Sequence, residues 1–195
     1  MKFEDTVRRY AKVARQEILR DFRSDSCIAS TRITIRVMRE FGIAAEPVSV
    51  NYIVGNPEWA RRIIDQQEPW PARESLFKWC ETTGAWSVGV GNGEEREGGW
   101  PGHLIAYLPK HRFLIDASID QANRPAKGIV LPPVLLSPDV PPRFLTGEMS
   151  LEARIQGMYL QYVCVPNETF RKSKDWTEFS RIKPVVKRIV KEMES

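Results

Sequence analysis

Cys27, His103 and Asp116 are the residues of this chain whose types and surroundings suit attack on an acyl bond. A thiol becomes a strong nucleophile when it loses its proton. An imidazole can take that proton, and a carboxylate can hold the imidazole in the tautomer that does so. Cys27 follows Ser24-Asp25-Ser26, three candidate helix caps, and an apolar pattern then runs to Phe41 and Gly42. A cysteine in a first helical turn meets unpaired N–H groups and the positive end of the helix dipole, which favour thiolate over thiol. Its own backbone N–H is placed to donate to an oxyanion. The plain alternative is a packing cysteine, the common fate of a free thiol.

Pro109-Lys110 reads as the turn between two strands, 103–108 and 112–118. A two-residue loop, or a four-residue loop with Pro109 at its first central position, sets Leu108 opposite His111, Ile105 opposite Leu114 and His103 opposite Asp116. Directly opposed side chains on one face stand roughly 5 Å apart at Cβ. The carboxylate then holds one imidazole nitrogen and leaves the other to face a nucleophile. This register puts His111 at the far end of the hairpin, exposed and away from Cys27. Asp120 is the spare candidate for the carboxylate role.

The elements that position these residues follow from periodicity. Phe3, Val7, Tyr10, Ala14 and Ile18 mark one buried face of a helix over about 3–22, with Arg8, Arg9, Lys12 and Arg15 read as its solvated side. In the Cys27 helix, Arg32, Arg36, Arg39 and Glu40 form one narrow polar stripe. Residues 47–54 alternate as a strand, and Pro57 opens a short helix to about 67. Segment 74–82 leans to helix with Cys80 as a packing residue, and 85–90 reads as a strand. Gly91–Gly99 is expected to be a surface loop bordering the cleft, a candidate lid. The proline-rich stretch 128–146 suits an edge strand and an ordered loop. Residues 158–165 form a buried strand with Cys164 in the core, and Asp175 caps a last helix to about Met193, bent at Pro184.

The 195 residues, 42% hydrophobic and 28% charged, suit a single globular domain: an N-terminal helix (1–23), a catalytic core (24–165) and a C-terminal helical extension (166–195). The net charge of +4 comes with no block of like charges, which argues against a specific nucleic-acid partner. Three scattered cysteines give no disulfide framework, and two histidines give no metal-site spacing, so neither a metal nor another cofactor is expected. No run is long and apolar enough for a membrane span, and the charged start Met-Lys-Phe-Glu-Asp-Thr lacks a signal core. A reducing cytoplasm is the expected location.

The order Cys27 at a helix start, Gly102-His103-Leu104-Ile105-Ala106-Tyr107, then Leu114-Ile115-Asp116-Ala117-Ser118-Ile119-Asp120-Gln121 resembles the transglutaminase-like branch of the papain-like cysteine enzymes. The resemblance covers roughly residues 20–165. It implies an α+β fold in which N-terminal helices carry the nucleophile and pack on an antiparallel sheet carrying His103 and Asp116. It also implies a Cys-His-Asp triad acting on an amide or thioester carbonyl through an acyl-thioenzyme. Gln121, from the aspartate stretch, and Trp100, just before His103, are the candidate substrate-binding residues. The substrate is a peptide, a protein or a small acyl or amide compound.

Two family features are absent. Asp21 and Phe22 stand where papain-type proteases carry a glutamine, and the Arg-Gly-Gly stretch of arylamine N-acetyltransferases is missing. The second oxyanion donor therefore has no assignment from sequence. Hydrolysis leads among the reactions, with N-acyl transfer or protein cross-linking as the alternative. A non-catalytic binding module that keeps the fold is the alternative of another class.

Overall fold

The computed structural model describes residues 2–91 and 100–195. Helix α1 (Phe3–Leu19) buries Val7, Tyr10, Ala14 and Ile18, the face its spacing predicts, and ends one turn before Phe22. Helix α2 runs over Cys27–Glu40, and Gly42 takes the left-handed conformation (φ +73°) that stops it. Strand β1 (Glu46–Gly55) leads to the short helix α3 (Pro57–Trp59), a π-helical turn over Ala60–Asp65, and helix α4 (Leu76–Thr83). Strands β2 (Ser87–Val90), β3 (His103–Leu108), β4 (Phe113–Asp116) and β5 (Leu135–Ser137) follow, then helix α5 (Pro142–Leu145). The hairpin β6 (Leu151–Ile155) and β7 (Met158–Cys164) precedes helices α6 (Lys174–Thr177) and α7 (Phe179–Glu194).

The architecture is α+β. Among the described residues the sheet has seven strands, all paired antiparallel, in the order β5-β4-β3-β1-β7-β6, with β2 also on β1. Strand β1 shares one of its edges between two partners. Its first half, Glu46–Val50, pairs with β3, and its second half, Tyr52–Gly55, pairs with β2. His103, opposite Val50, therefore sits in mid-sheet where these two neighbours part. The edge strands β5 and β6 line one groove of about 1020 Å³, so the sheet is strongly curled.

The hairpin register differs from the expected one by two residues. Leu108 pairs with Phe113, Tyr107 with Leu114 and Ala106 with Ile115. The connection is four residues long: a 3₁₀ turn over Pro109–His111, closed by Arg112 at φ +48°. Asp116 thus lies diagonal to His103 rather than directly opposite it. Because side chains alternate with a period of two, an even shift keeps both on the same face. The β6–β7 hairpin was not marked by the sequence pattern; it turns on Gln156-Gly157, both at positive φ (51° and 82°), as a tight hairpin requires.

Helix α2 is more deeply covered than its polar stripe predicts. Arg39 and Glu40 are exposed, but Arg32 is buried: it donates to the Asp175 carbonyl (3.2 Å), and its guanidinium lies over the Phe179 ring. The covering elements are α6 and α7. Ser173, rather than Asp175, caps α6, its hydroxyl accepting from the Trp176 N–H (3.2 Å). Helix α7 continues through Pro184 and buries Ile182, Val185, Val186, Ile189 and Met193 in the same cluster as the buried faces of α1 and α2. At about 1.5–3 kcal/mol for each fully buried aliphatic side chain, this C-terminal segment is part of the core rather than an appendage to it. Among the described residues no helix is long and apolar enough to cross a membrane.

Candidate active site

Helix α2 is fixed to β3 one turn past its start, where the Thr31 hydroxyl donates to the Leu104 carbonyl (2.6 Å). That bond joins the residue four after Cys27 to the residue one after His103. The nucleophile candidate and the base candidate are thereby brought to the same corner. Cys27 is 7% exposed and clusters with Leu104 and Phe170, with Ile28, Trp100 and Trp176 packed around them. Its Sγ lies 4.0 Å from the Gly102 carbonyl oxygen, on the residue next to His103.

Ser26 occupies the N-cap position of α2 but does not cap it. Its hydroxyl donates backwards to the Arg23 carbonyl (2.6 Å), and Asp25 pairs with Arg23 (3.3 Å). The expected side-chain cap before Cys27 is therefore not formed by Ser26. The first-turn N–H groups of a helix have no intrahelical partner, so those of α2 are left beside the thiol.

His103 is fully buried, with its Nε2 2.7 Å from Asp116 Oδ2. Its Nδ1 faces the Gln121 amide nitrogen, Nε2 (2.5 Å), and its ring meets Tyr52 edge-on, centroids 4.8 Å apart. Asp116 is held from several sides. Tyr162 donates its hydroxyl to Oδ2 (2.7 Å), and the Ser118 backbone N–H donates to Oδ1 (3.0 Å). Burial alone would raise the carboxyl pKa, but the His103 charge and hydrogen bond, Tyr162 and the Ser118 N–H together lower it. Burial likewise works against the charged imidazole. The Asp116 charge and hydrogen bond, joined by those of Cys27, overcome it and raise His103 to about 10. The imidazole is thus set to hold a proton at neutral pH.

Asp120, the spare carboxylate, has a different partner. It forms a two-pronged ion pair with Arg15 (Nε to Oδ2 3.0 Å, Nη2 to Oδ1 2.6 Å), and Arg15 Nη2 also donates to the Ser24 carbonyl (2.8 Å). Arg15, expected on a solvated face, is only 2% exposed. It ties α1, the loop before Cys27 and the 3₁₀ turn Ile119–Ala122 together, and that turn carries Gln121. Helical spacing could not reveal this, because the loop and the turn that cover Arg15 come from distant sequence. Tyr162 and Tyr52 were also missed: each occupies an inward strand position that reads as ordinary core.

Trp100 lies across Gly102, where a Cβ would come within 2.3 Å of the indole. Any side chain at 102 would push Trp100 away from Cys27. The Trp100 Nε1 is buried and has no hydrogen-bond partner among the described residues. The lid expected over Gly91–Gly99 falls, from residue 92 on, outside the described residues. His111 is exposed at the far turn, its ring stacked on Phe3 with centroids 3.6 Å apart. Cys80 and Cys164 are buried, and burial pushes both thiols up.

No protein-family model, curated protein or solved structure matches this chain.

Proposed function

We propose that this chain is a cysteine enzyme of transglutaminase-like, papain-like type that attacks an amide or thioester carbonyl through an acyl-thioenzyme. The observation that carries the reading is the buried His103–Asp116 pair at 2.7 Å, placed beside a cysteine in the first turn of a helix. Tethering by Thr31 and Arg15 fixes that juxtaposition, and a packing cysteine would need neither.

In the proposed reaction the Cys27 sulfur forms a bond to the carbonyl carbon, and the carbonyl π electrons move to oxygen. The Cys27 backbone N–H is the first oxyanion donor, and the Trp100 indole N–H, which has no partner among the described residues, is the candidate second. The His103 imidazolium gives its proton to the departing amine or thiol as the tetrahedral adduct collapses to the acyl-thioenzyme. Water, deprotonated by His103, then attacks the acyl carbon, and Cys27 leaves as the thiolate, which restores its pair with the His103 imidazolium. An amine in place of water makes the same step an N-acyl transfer or a cross-link. Hydrolysis leads because water needs no second binding site. Three unpaired cysteines fit a reducing, cytoplasmic setting.

The low exposure of Cys27 favours one other reading, a binding module that keeps the fold without turnover. Incubation with a panel of activated thioesters and peptide amides, followed by intact-mass measurement, separates the two. The enzyme reading predicts a transient acyl adduct on Cys27, absent from Cys27→Ala and His103→Ala. A release assay that finds no adduct and no product across the panel favours the module.

A further inference from the structure

We propose that Gln121 is a positioning residue for His103: its side-chain carbonyl receives the Nδ1–H of the protonated imidazole and holds the ring between two acceptors until substrate arrives. The proposal rests on the reading of His103 as the proton carrier, and deepens it. Asp116 is the acceptor at Nε2, 2.7 Å away, and the Gln121 carboxamide stands at Nδ1, 2.5 Å away, drawn with its nitrogen toward the ring. A doubly protonated imidazole has donors at both nitrogens and no lone pair. A carboxamide NH₂ facing Nδ1 would then set donor against donor. A half turn about the last side-chain bond exchanges the two ends of the carboxamide without moving its outline, and puts oxygen at Nδ1.

The surroundings support that orientation. The Tyr52 hydroxyl donates to the Ile119 carbonyl (3.2 Å), so its oxygen keeps a lone pair that the amide nitrogen can serve once oxygen stands at Nδ1. Among the described residues the charged or titratable groups around the ring are Cys27 from α2, Tyr52 from β1, Asp116 from β4, Tyr162 from β7 and Asp120 beside Gln121. Asp120 is neutralised by Arg15 from α1. The contact is not accidental to a mobile side chain. Gln121 stands on the 3₁₀ turn that the Arg15–Asp120 pair anchors to the loop before Cys27. The thiol reaches both the Gly102 carbonyl and the imidazole, so Gln121 shares with it the side of the ring that the leaving group must later use. In the catalytic cycle the carboxamide gives up Nδ1–H when the leaving group claims it.

The chain has only two histidines, so ring C–H signals in a ¹H–¹³C NMR titration are assigned by one variant, His111→Gln. Removing a neutral acceptor with Gln121→Leu should lower the His103 pKa by about one unit, and Gln121→Glu, which adds a charge, should raise it. Opposite shifts are not what a purely structural role produces. A pKa unchanged in both variants, or raised in Gln121→Leu, overturns the proposal. Should either variant fail to fold, the unaltered chain still decides. A slowly exchanging Nδ1–H coupled through the hydrogen bond to the Gln121 carbonyl carbon supports the proposal, and coupling from the Gln121 NH₂ to Nδ1 refutes it. An inert Cys27 would sink the enzyme reading and leave this titration untouched, so the two failures are distinguishable.

Discussion

Two helix starts in this molecule are built in opposite ways. At the start of α3, Asn56 is buried and spends its whole side chain on the fold. Its Oδ1 accepts from the Trp59 and Trp86 N–H groups (2.9 and 3.2 Å), and its Nδ2 donates to the Gly84 and Lys127 carbonyls (2.8 and 2.9 Å). At the start of α2, Ser26 turns its hydroxyl back to Arg23, and the stabilisation comes instead from Thr31 and Arg15, outside the first turn. A capped start is a joint. An uncapped one keeps its N–H groups and dipole end for whatever stands next to them, and here that is a thiol.

Breaking the chemical start should have the largest effect. Cys27→Ala and His103→Ala are each expected to cut acyl-thioenzyme formation by at least about 10³-fold, since residues that act as a unit fail together. Single-turnover assays with whichever panel compound acylates Cys27 measure this. Asp116→Asn should keep a small residual rate, because it weakens orientation more than nucleophilicity.

Breaking the structural start should act on stability alone. Asn56→Ala strands two buried N–H groups and two carbonyls, so a loss of about 3–4 kcal/mol is expected in denaturant unfolding, with Cys27 reactivity unchanged. Ser26→Ala should cost under about 0.5 kcal/mol, because the hydroxyl caps nothing. A large loss at Ser26 would erase the contrast between the two starts.

The buried pair also fixes how stability depends on pH. His103 has a folded-state pKa raised to about 10, above an unfolded value of about 6.5. Its contribution is therefore fully present below about pH 6.5 and is lost as pH rises through about 10. Asp116 is lowered, so its contribution is present above the ordinary carboxyl range and is lost as pH falls through its depressed value. Unfolding free energies of the parent and His103→Gln should accordingly converge between pH 6.5 and 10. Curves that stay parallel would mean that the imidazole is buried neutral.

Much of this corner was legible in the sequence because it depends on local rules. A cap-rich segment before an apolar periodic run places Cys27 at a helix start, and alternation with period two keeps His103 and Asp116 on one face even though the turn shifted their register. The turn itself was not legible. Pro109-Lys110 suggests a centre, but the left-handed Arg112 that closes the loop carries no sequence signal of the kind glycine gives. The supports were hidden for another reason. Arg15, Tyr162 and Arg32 owe their burial to elements far away in sequence, and helical or strand periodicity reports only the element's own faces. Asp120 was a reasonable alternative by type and position, and the tertiary partners decide: His103 bonds Asp116, while Arg15 takes Asp120.

The central claim is that the start of α2 makes one cysteine reactive, and the chain carries its own controls. Cys27 and Cys80 are equally exposed, at 7%, and Cys164 stands at 9%, so burial alone predicts similar reactivity for all three. The decisive measurement is the rate of iodoacetamide alkylation at each cysteine, followed by peptide mass spectrometry across pH in native protein and in His103→Ala. The account predicts that Cys27 is modified at least about tenfold faster than Cys80 and Cys164 near neutral pH, and that His103→Ala removes most of that advantage. Equal rates at the three cysteines, or a Cys27 rate indifferent to His103, would contradict it.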